Sequence, residues 1–533
     1  MRKMSSLYLS LVLVVVATVA ASGQSFQVQC PTSTITHPSA LHDNNSEPAY
    51  TAATTLSAGA NGYLVPTANV NGAIKCQQIS GGDGFATMGD GSQTYLFAFG
   101  PLSGLADMSN GLPGTQFPNV FNDVAPPLVP GDPAATDGAS QAPYSLGDPS
   151  KFTYNGAVGL ASDLDAIAAG TCTAPCIDGH VDPRQIMDVG VLNGNIPAPL
   201  MAIDEDDEFF LTLTNVGQVM RPDLFEQHTV HFHGYPNASA FYDGVPDASV
   251  AINIGGSFTY YYLAPDAGTY FWHCHITPPE HLQMGMVGQL YVRPRQNRVP
   301  GGNSLYAALL AQQLDLRTKC DSSDILCSNP LPAVNTGGTG GAKYAYNDGD
   351  GTTRYDVEYP LQIHGFDPNF HFVGMTFNPE GFTEMKDKYF LLNGRSYPDT
   401  IHDGPLATQT TDGVMHYSQP MSAIINIPVG GRALLRIADL DVTEYQTLAS
   451  LGIPMQVIGL NAKLLRDQSG NNLYYNTNSI TLAGGESLDV ILDASDTAKY
   501  PHGSVFYLYT PNLDHLSNDA ENFGGLMTEV RIN

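Results

Sequence analysis

The sequence predicts an all-β protein: two β-sandwich domains behind a loop-rich N-terminal extension. Composition is the first observation, since 54 Gly, 37 Pro and 27 Tyr in 533 residues give a density of turn and strand formers, while long helical periodicities are scarce. Size is the second, because a chain this long buries about two or three hydrophobic cores. The third is a pair of short mid-chain segments, His228–Gly234 and His273–His281, whose alternation suits strands, where neighbouring side chains point to opposite faces.

Taken in order, Arg2 and Lys3 precede an apolar run, Leu9–Ala21, that ends in small residues. Residues 1–23 therefore read as a secretory signal peptide, cleaved after Ala21 or Gly23, and too short to be an ordinary membrane span. No later apolar stretch approaches membrane length, and Cys30 lies too far from the cleavage point for a lipoprotein. The expected location is outside the cytoplasm, extracellular or periplasmic. Residues 24–188 are irregular, with a Gly/Pro/Asp/Ser-rich stretch from Pro101 to Ser150 and one strand, Thr94–Gly100, suited to the first sandwich. The first domain spans 189–298 and the second 299–533. Ser304–Leu316 reads as helical and Asn329–Asp350 as a connecting loop. The tail of that loop, Asp348-Gly-Asp350-Gly, reads as a turn, because its spacing does not satisfy an EF-hand.

Formal charge is 22 minus 51, or −29, which argues against nucleic acid or an acidic membrane surface as partner. Seven cysteines are present. Setting Cys274 aside as a ligand leaves six, an even number that in an oxidising compartment reads as three disulfides. The close pairs Cys172 with Cys176 and Cys320 with Cys327 leave Cys30 to Cys76, although fifteen connectivities are formally possible.

Six of the fifteen histidines and one cysteine fall between His228 and His281. They are arranged as His228-Thr-Val-His231-Phe-His233-Gly234 and His273-Cys274-His275, followed by His281 and Met286. By strand parity His231 and His233 share a face opposite His228, and His273 and His275 share a face opposite Cys274. With the two strands adjacent, one side collects His228, Cys274, His281 and Met286. Two His, a Cys thiolate and a long axial Met form a blue (type 1) copper ligand set. The other side collects four imidazoles, a site for more copper, of type 2 or type 3.

These motifs resemble the multicopper oxidases, whose third and fourth copper motifs read His-x-x-His-x-His-Gly and His-Cys-His followed by a spaced His and an axial residue. The opening strand Phe209–Asn215, the stretch Gly194–Pro199, Tyr242-Asp243-Gly244-Val245-Pro246 and Gly268–Trp272 carry the likeness through Val189–Arg295. The loop Ile276–Glu280 is two residues longer than in laccases and looks closer to that of copper nitrite reductases. The resemblance implies cupredoxin-like Greek-key sandwiches and an oxidoreductase that takes electrons one at a time from a small-molecule or metal-ion reductant and passes them to O2. The acidic chain would favour cationic reductants, and Met286 implies a lower potential than an apolar axial residue. Asp243 is the candidate catalytic residue, to orient a ligand or relay protons, with the role of turn former as the alternative.

The second half resembles the copper-free cupredoxin domain of the same family through Leu392–Pro398, Ala433–Ile437 and Leu482–Asp493. Ile453, Gln456 and Ile458 stand at the three ligand positions of the family template, and Tyr509–Asn512 replaces the His-Cys-His. The family's three-copper cluster takes eight imidazoles, and this chain offers four: His231, His233, His273 and His275. Three readings compete. A second copy supplies the other four in a homo-oligomeric oxidase; or the site holds fewer metals, as in nitrite reductases, which carry Asp where this chain has His231 and lack the His275 equivalent; or the protein is a blue-copper electron carrier or an extracellular copper-binding structural protein. The first accounts best for the retained quartet.

Overall fold

The structure, a computed structural model, describes residues 28–533 apart from 61, 109, 123–159, 163–168, 172–176, 182–185, 187, 188, 191, 236–238, 265, 314–326, 328, 375–380 and 410–414. The expected leader, Cys172, Cys176 and Cys320 lie outside the described residues.

The first sandwich contains β1 (Ile74–Thr87), β2 (Gln93–Pro101), β3 (Met201–Asp204), β4 (Glu208–Gly217), β5 (His231–His233), β6 (Ser257–Leu263), β7 (Gly268–His273) and β8 (Val287–Arg293). They form two four-stranded sheets, ordered β6-β4-β1-β2 and β3-β8-β7-β5. Each sheet contains one parallel pair, β1 with β4 and β3 with β8. Parallel neighbours need crossover connections, so the chain winds as a Greek key and not as a meander. In β4 the alternation is plain: Phe209, Leu211 and Leu213 enter the core, while Thr212 and Thr214 meet the hydroxyls of Thr259 and Ser257 on β6 at 2.8 and 2.7 Å. Between the sheets, Phe97, Phe99 and Tyr260 pack against Phe232, Trp272 and Leu290. The indole of Trp272 is fully buried, and a Cβ at Gly288 on the paired strand would come within 2.5 Å of it.

Thr94–Gly100, read as a strand, lies within β2. The longer β1 was not anticipated. The Cys30–Cys76 disulfide ties the N-terminal region to β1, and Cys327 is also disulfide-bonded.

The second sandwich contains β9 (Val357–Phe366), β10 (Tyr389–Leu392), β11 (Ile425–Ile427), β12 (Arg432–Asp439), β13 (Gln446–Leu451), β14 (Met455–Leu460), β15 (Lys463–Leu464), β16 (Tyr475–Thr477), β17 (Ser479–Leu482), β18 (Glu486–Asp493), β19 (Val505–Tyr509) and β20 (Met527–Ile532). Its sheets run β10-β9-β12-β18-β14-β15, with β16 also on β14, and β11-β20-β19-β13-β17. Ile453 and Ile458 are buried in apolar clusters, the first with Leu435 and Val490, the second with Tyr346 and Leu434.

Among the short helices of the described residues are α1 (Pro278–Gln283), α2 (Leu305–Gln312) and α3 (Pro368–Gly374). α2 lies within the stretch read as helical, of which 314–316 fall outside the described residues, and its Ser304 cap accepts the Ala307 N–H at 3.2 Å. The Asp348 carboxylate accepts the N–H groups of Gly351 and Thr353 in its own turn at 2.8 and 2.7 Å and the Gln296 side-chain amide at 2.7 Å.

The second sandwich covers the outer face of the β3-β8-β7-β5 sheet. An apolar cluster joins Ile196, Phe271 and Val287 of the first to Phe366, Leu391 and Leu440 of the second. Polar contacts flank it, among them Thr269 to Asp489 at 2.6 Å and an Arg293–Glu358–Arg436 ion triad with contacts of 2.8 and 3.0 Å.

Candidate metal centre

In the antiparallel pairing of β5 with β7, His231 lies opposite His273, Phe232 opposite Trp272, and His233 opposite Phe271. Opposed residues share a face. Phe232 and Trp272 therefore point into the core, and the three histidines point out, along the face whose upstream part the second sandwich covers at Thr269 and Phe271.

The inward parity continues to Cys274, whose N–H donates to the Met286 carbonyl at 3.1 Å. His228 is fixed by a two-way backbone bridge to Ile252, and α1 brings His281 inward. One nitrogen each of His228 and His281 and the Cys274 sulfur lie within 4.8 Å of one another. All three residues and Met286 are fully buried. Neither ring nitrogen of His228 is satisfied by another polar group at ordinary hydrogen-bond distance, which leaves a lone pair for a metal. His228, Cys274 and His281, with the Met286 thioether buried near them, are a donor set of two nitrogens and two sulfurs that would suit copper. Burial pushes the Cys274 thiol up, but the His281 charge and the adjoining His228 and His281 rings carry it well below the usual thiol value. His281 Nδ1 sits 3.2 Å from the sulfur; burial favours its neutral ring, yet the Cys274 charge and Glu226 raise it to about 10, so without metal the two form a charged pair, and binding a metal would release the His281 proton. Such a thiolate is the form that ligates metal. The Thr229 N–H, 3.4 Å from the sulfur, adds the kind of contact that tunes a thiolate site.

On the outer face, nitrogens of His231, His233 and His273 converge within 4.8 Å. The Nδ1 of His231 donates to the Asp243 carbonyl at 2.6 Å, and that of His273 to the Cys274 carbonyl at 2.9 Å. Both bonds leave Nε2 as the free lone pair, the usual way a ligating imidazole is oriented. Although His233 is exposed as a residue, desolvation of its ring, which stacks on Phe271, reinforced by the neighbouring imidazoles, holds it below its ordinary value, and burial brings His273 down to about 3; both rings are neutral, as ligands must be. His275 stands beside this trio, its ring centroid 5.1 Å from that of His231 and 5.6 Å from that of His273. Asp243 contributes its backbone oxygen, while its carboxylate is 3.5 Å from His231 Nδ1. A cavity of about 470 Å³ opens on His233 and His273, walled by Pro278 and Leu282 on one side and by Asp441, Glu444 and Gly485 of the second sandwich on the other.

Two residues at these sites escape a reading by motif. Glu226 places a carboxylate oxygen 3.4 Å from His281 Nε2; only its position two residues before His228 hinted at it. Gly81 lies where a Cβ would come within 2.8 Å of the His228 ring and 3.4 Å of the Met286 methyl.

Residues 178–297 match the family model described as multicopper oxidase. Over those residues the chain is similar to multicopper oxidases. Among curated relatives, it is 34% identical over 109 residues to a laccase of Aspergillus fumigatus, covering 20% of this chain and 17% of the laccase. It is 34% identical over 119 residues to a copper-containing nitrite reductase of Rhizobium meliloti, covering 21% of this chain and 28% of that protein. The match thus spans less than a third of either relative's length. A solved structure of a blue copper oxidase from Nitrosomonas europaea aligns over 64% of this chain and 78% of its own, at 22% identity and a TM-score of 0.42.

Proposed function

We propose that the protein is an exported copper oxidase that takes single electrons from a reductant at the buried His228–Cys274–His281–Met286 site and delivers them to dioxygen at the His231–His233–His273–His275 face. One observation carries this reading: Cys274 of the first site is joined by single peptide bonds to His273 and His275 of the second, giving a continuous through-bond path. Bound copper would supply the one-electron chemistry at the first site and the reduction of dioxygen to water at the second. The protein's own contribution is positional. Cys274, His228 and His281 hold a dry, preorganised donor set. The carbonyls of Asp243 and Cys274 fix His231 and His273 in the ligating tautomer. Glu226, partly exposed beside His281 Nε2, is the natural entry point for an electron donor and favours a cationic one. Export rests on the predicted leader, and among the described residues no helix is long and apolar enough to cross a membrane.

A cluster of three coppers needs more imidazoles than one chain brings. His233 is exposed, and His231 and His275 are half-buried, so this flank is open for a second copy to present the same residues across a two-fold axis. A second reading is favoured by the tight grouping of only His231, His233 and His273: one copper on three imidazoles, with nitrite as electron acceptor.

The experiment is copper analysis and oxygen uptake on the full-length protein across a dilution series. The oxidase reading expects a blue protein with about 2.5 coppers per chain on symmetric sharing, and oxygen uptake that falls on dilution while the colour persists. Cys274→Ser should bleach the colour. A colourless protein with its full copper complement overturns the first site. Undiminished uptake by the monomer overturns the sharing, and about two coppers per chain with nitrite-dependent turnover and no oxygen uptake establishes the single-copper reading.

A further inference from the structure

The loop from Cys274 to Met286 carries three of the four first-site residues, and it is held from two directions. Its inner side is self-supporting: besides the Cys274–Met286 bond, the Met286 N–H donates to the His281 carbonyl at 2.9 Å and the Met284 N–H to the Glu280 carbonyl at 2.9 Å. Its outer side rests on Gln283, the last residue of α1, which is fully buried. The side-chain amide of Gln283 donates to Asp387 Oδ1 at 2.9 Å and accepts the Asp367 N–H at 3.1 Å. Both partners belong to the second sandwich. His371 lies between the Gln283 carbonyl, 2.9 Å from its Nε2, and the Tyr95 carbonyl, 2.5 Å from its Nδ1; burial brings the ring down to about 4, so it is neutral and its one N–H donates to one of the two.

The partners are themselves fixed. Asp367 caps α3 through the N–H groups of Asn369 and Phe370 at 2.8 and 3.2 Å and accepts the Lys386 N–H at 2.8 Å. Asp387 takes a hydrogen bond from the Thr443 hydroxyl, and that hydroxyl also lies 2.9 Å from Asp441. Thr443 and Asp441 line the cavity that opens on His233 and His273.

From this geometry we infer that Gln283 is a positioning residue for the first metal site, through which the second sandwich sets the placement of His281 and Met286. The inference rests on the first-site assignment proposed above. Its physical basis is that a ligand loop clamped by buried hydrogen bonds keeps one geometry, and that groups behind the ligands tune affinity and spectrum without touching the metal. The same contacts link the cavity wall to the first site.

The test uses the full-length copper-loaded chain and three variants: Gln283→Ala, Asp387→Ala and Asp387→Asn. Asn at 387 keeps an oxygen to accept from Gln283, and its amide can donate to the Thr443 hydroxyl. Expected are a shift of the thiolate-to-copper absorption bands and of the electron paramagnetic resonance splitting, with roughly tenfold weaker copper binding, in both alanine variants and a wild-type spectrum in Asp387→Asn. Wild-type spectra in both alanine variants overturn the clamp, as does an equal shift in Asp387→Asn, which keeps the acceptor for Gln283. Should Gln283→Ala fail to fold, the pair at 387 reads the same contact from the other sandwich. A wild-type protein that takes up copper without turning blue overturns the first-site assignment and the clamp together, whereas a blue wild type with unchanged variants overturns the clamp alone.

Discussion

At the scale of single residues, the support behind the outer histidines comes from backbone more than from side chains. His231 is oriented by the Asp243 carbonyl, and that carbonyl is in place because Gly244 takes a left-handed φ of 76° and packs so closely that a Cβ would meet the Val230 oxygen at 2.0 Å. Asp243→Asn keeps the carbonyl and should change second-site copper affinity less than tenfold, below the usual cost of losing a group that orients a ligand. Gly244→Ala combines backbone strain with a clash worth about 1–3 kcal/mol and should lose second-site copper. Metal titration of both variants decides the point: large loss in Asp243→Asn would assign the orienting role to the carboxylate. The motif around Asp243 was visible in the sequence, but not which of its oxygens faces the histidine.

At the scale of elements, the legible parts were those in which side-chain period and pairing speak together. His-x-His and His-Cys-His alternate as strand residues must, so the division into an inward thiolate site and an outward imidazole site follows from parity once β5 and β7 are neighbours. Parity is silent on distance along the strand, which is why His275 reads as equivalent to the other three although it stands at their flank. β1 is the opposite case. Its Ser80-Gly81-Gly82-Asp83-Gly84 reads as loop, since Gly weakens strands in general. Here the glycines answer to close neighbours: Gly81 to His228, and Gly84 to the Gly194 carbonyl, which a Cβ would meet at 2.1 Å. Those neighbours come from distant parts of the chain. Glu226 and Gln283 were hidden for the same reason, each defined by a partner that no local spacing announces.

At the scale of the whole molecule, buried charge makes stability depend on pH in two opposed ways. Burial alone would raise the pKa of Glu358; the charges of Arg436 and Arg293, with their hydrogen bonds, reverse that and bring it to about 2. A carboxylate depressed from 4.5 stabilises fully above its unfolded value, and that contribution is lost as pH falls from 4.5 toward about 2. Glu205 runs the other way, raised by burial to about 7 with Arg295 and Asn347 offsetting only part. Its folded form retains a proton that the unfolded chain has released, so stability declines as pH rises from 4.5 to about 7. Each contribution is on the order of a few kcal/mol. Thermal unfolding followed from pH 3 to 8 should therefore give a maximum in mildly acidic solution, roughly between these windows. A midpoint that rises steadily to pH 8 would contradict the balance, and Glu358→Gln should flatten the acid limb.

The two donor sets differ in their access to solvent: His228, Cys274, His281 and Met286 are wholly enclosed, while His233 is exposed. Enclosure governs exchange kinetics, because a ligand shell without a solvent-facing side must open before a metal can leave, and such local opening is slow and tied to the stability of the surrounding fold. Removal by a chelator should accordingly be biphasic. Metal on the open histidines should leave first and take the turnover with it, while the colour of the enclosed site should fade later, at the pace of local unfolding. Refilling would follow the reverse asymmetry, the enclosed site being loaded most readily before the loop carrying His281 locks against the second sandwich. A single phase, with colour and activity lost together, would mean that the two sites open as one.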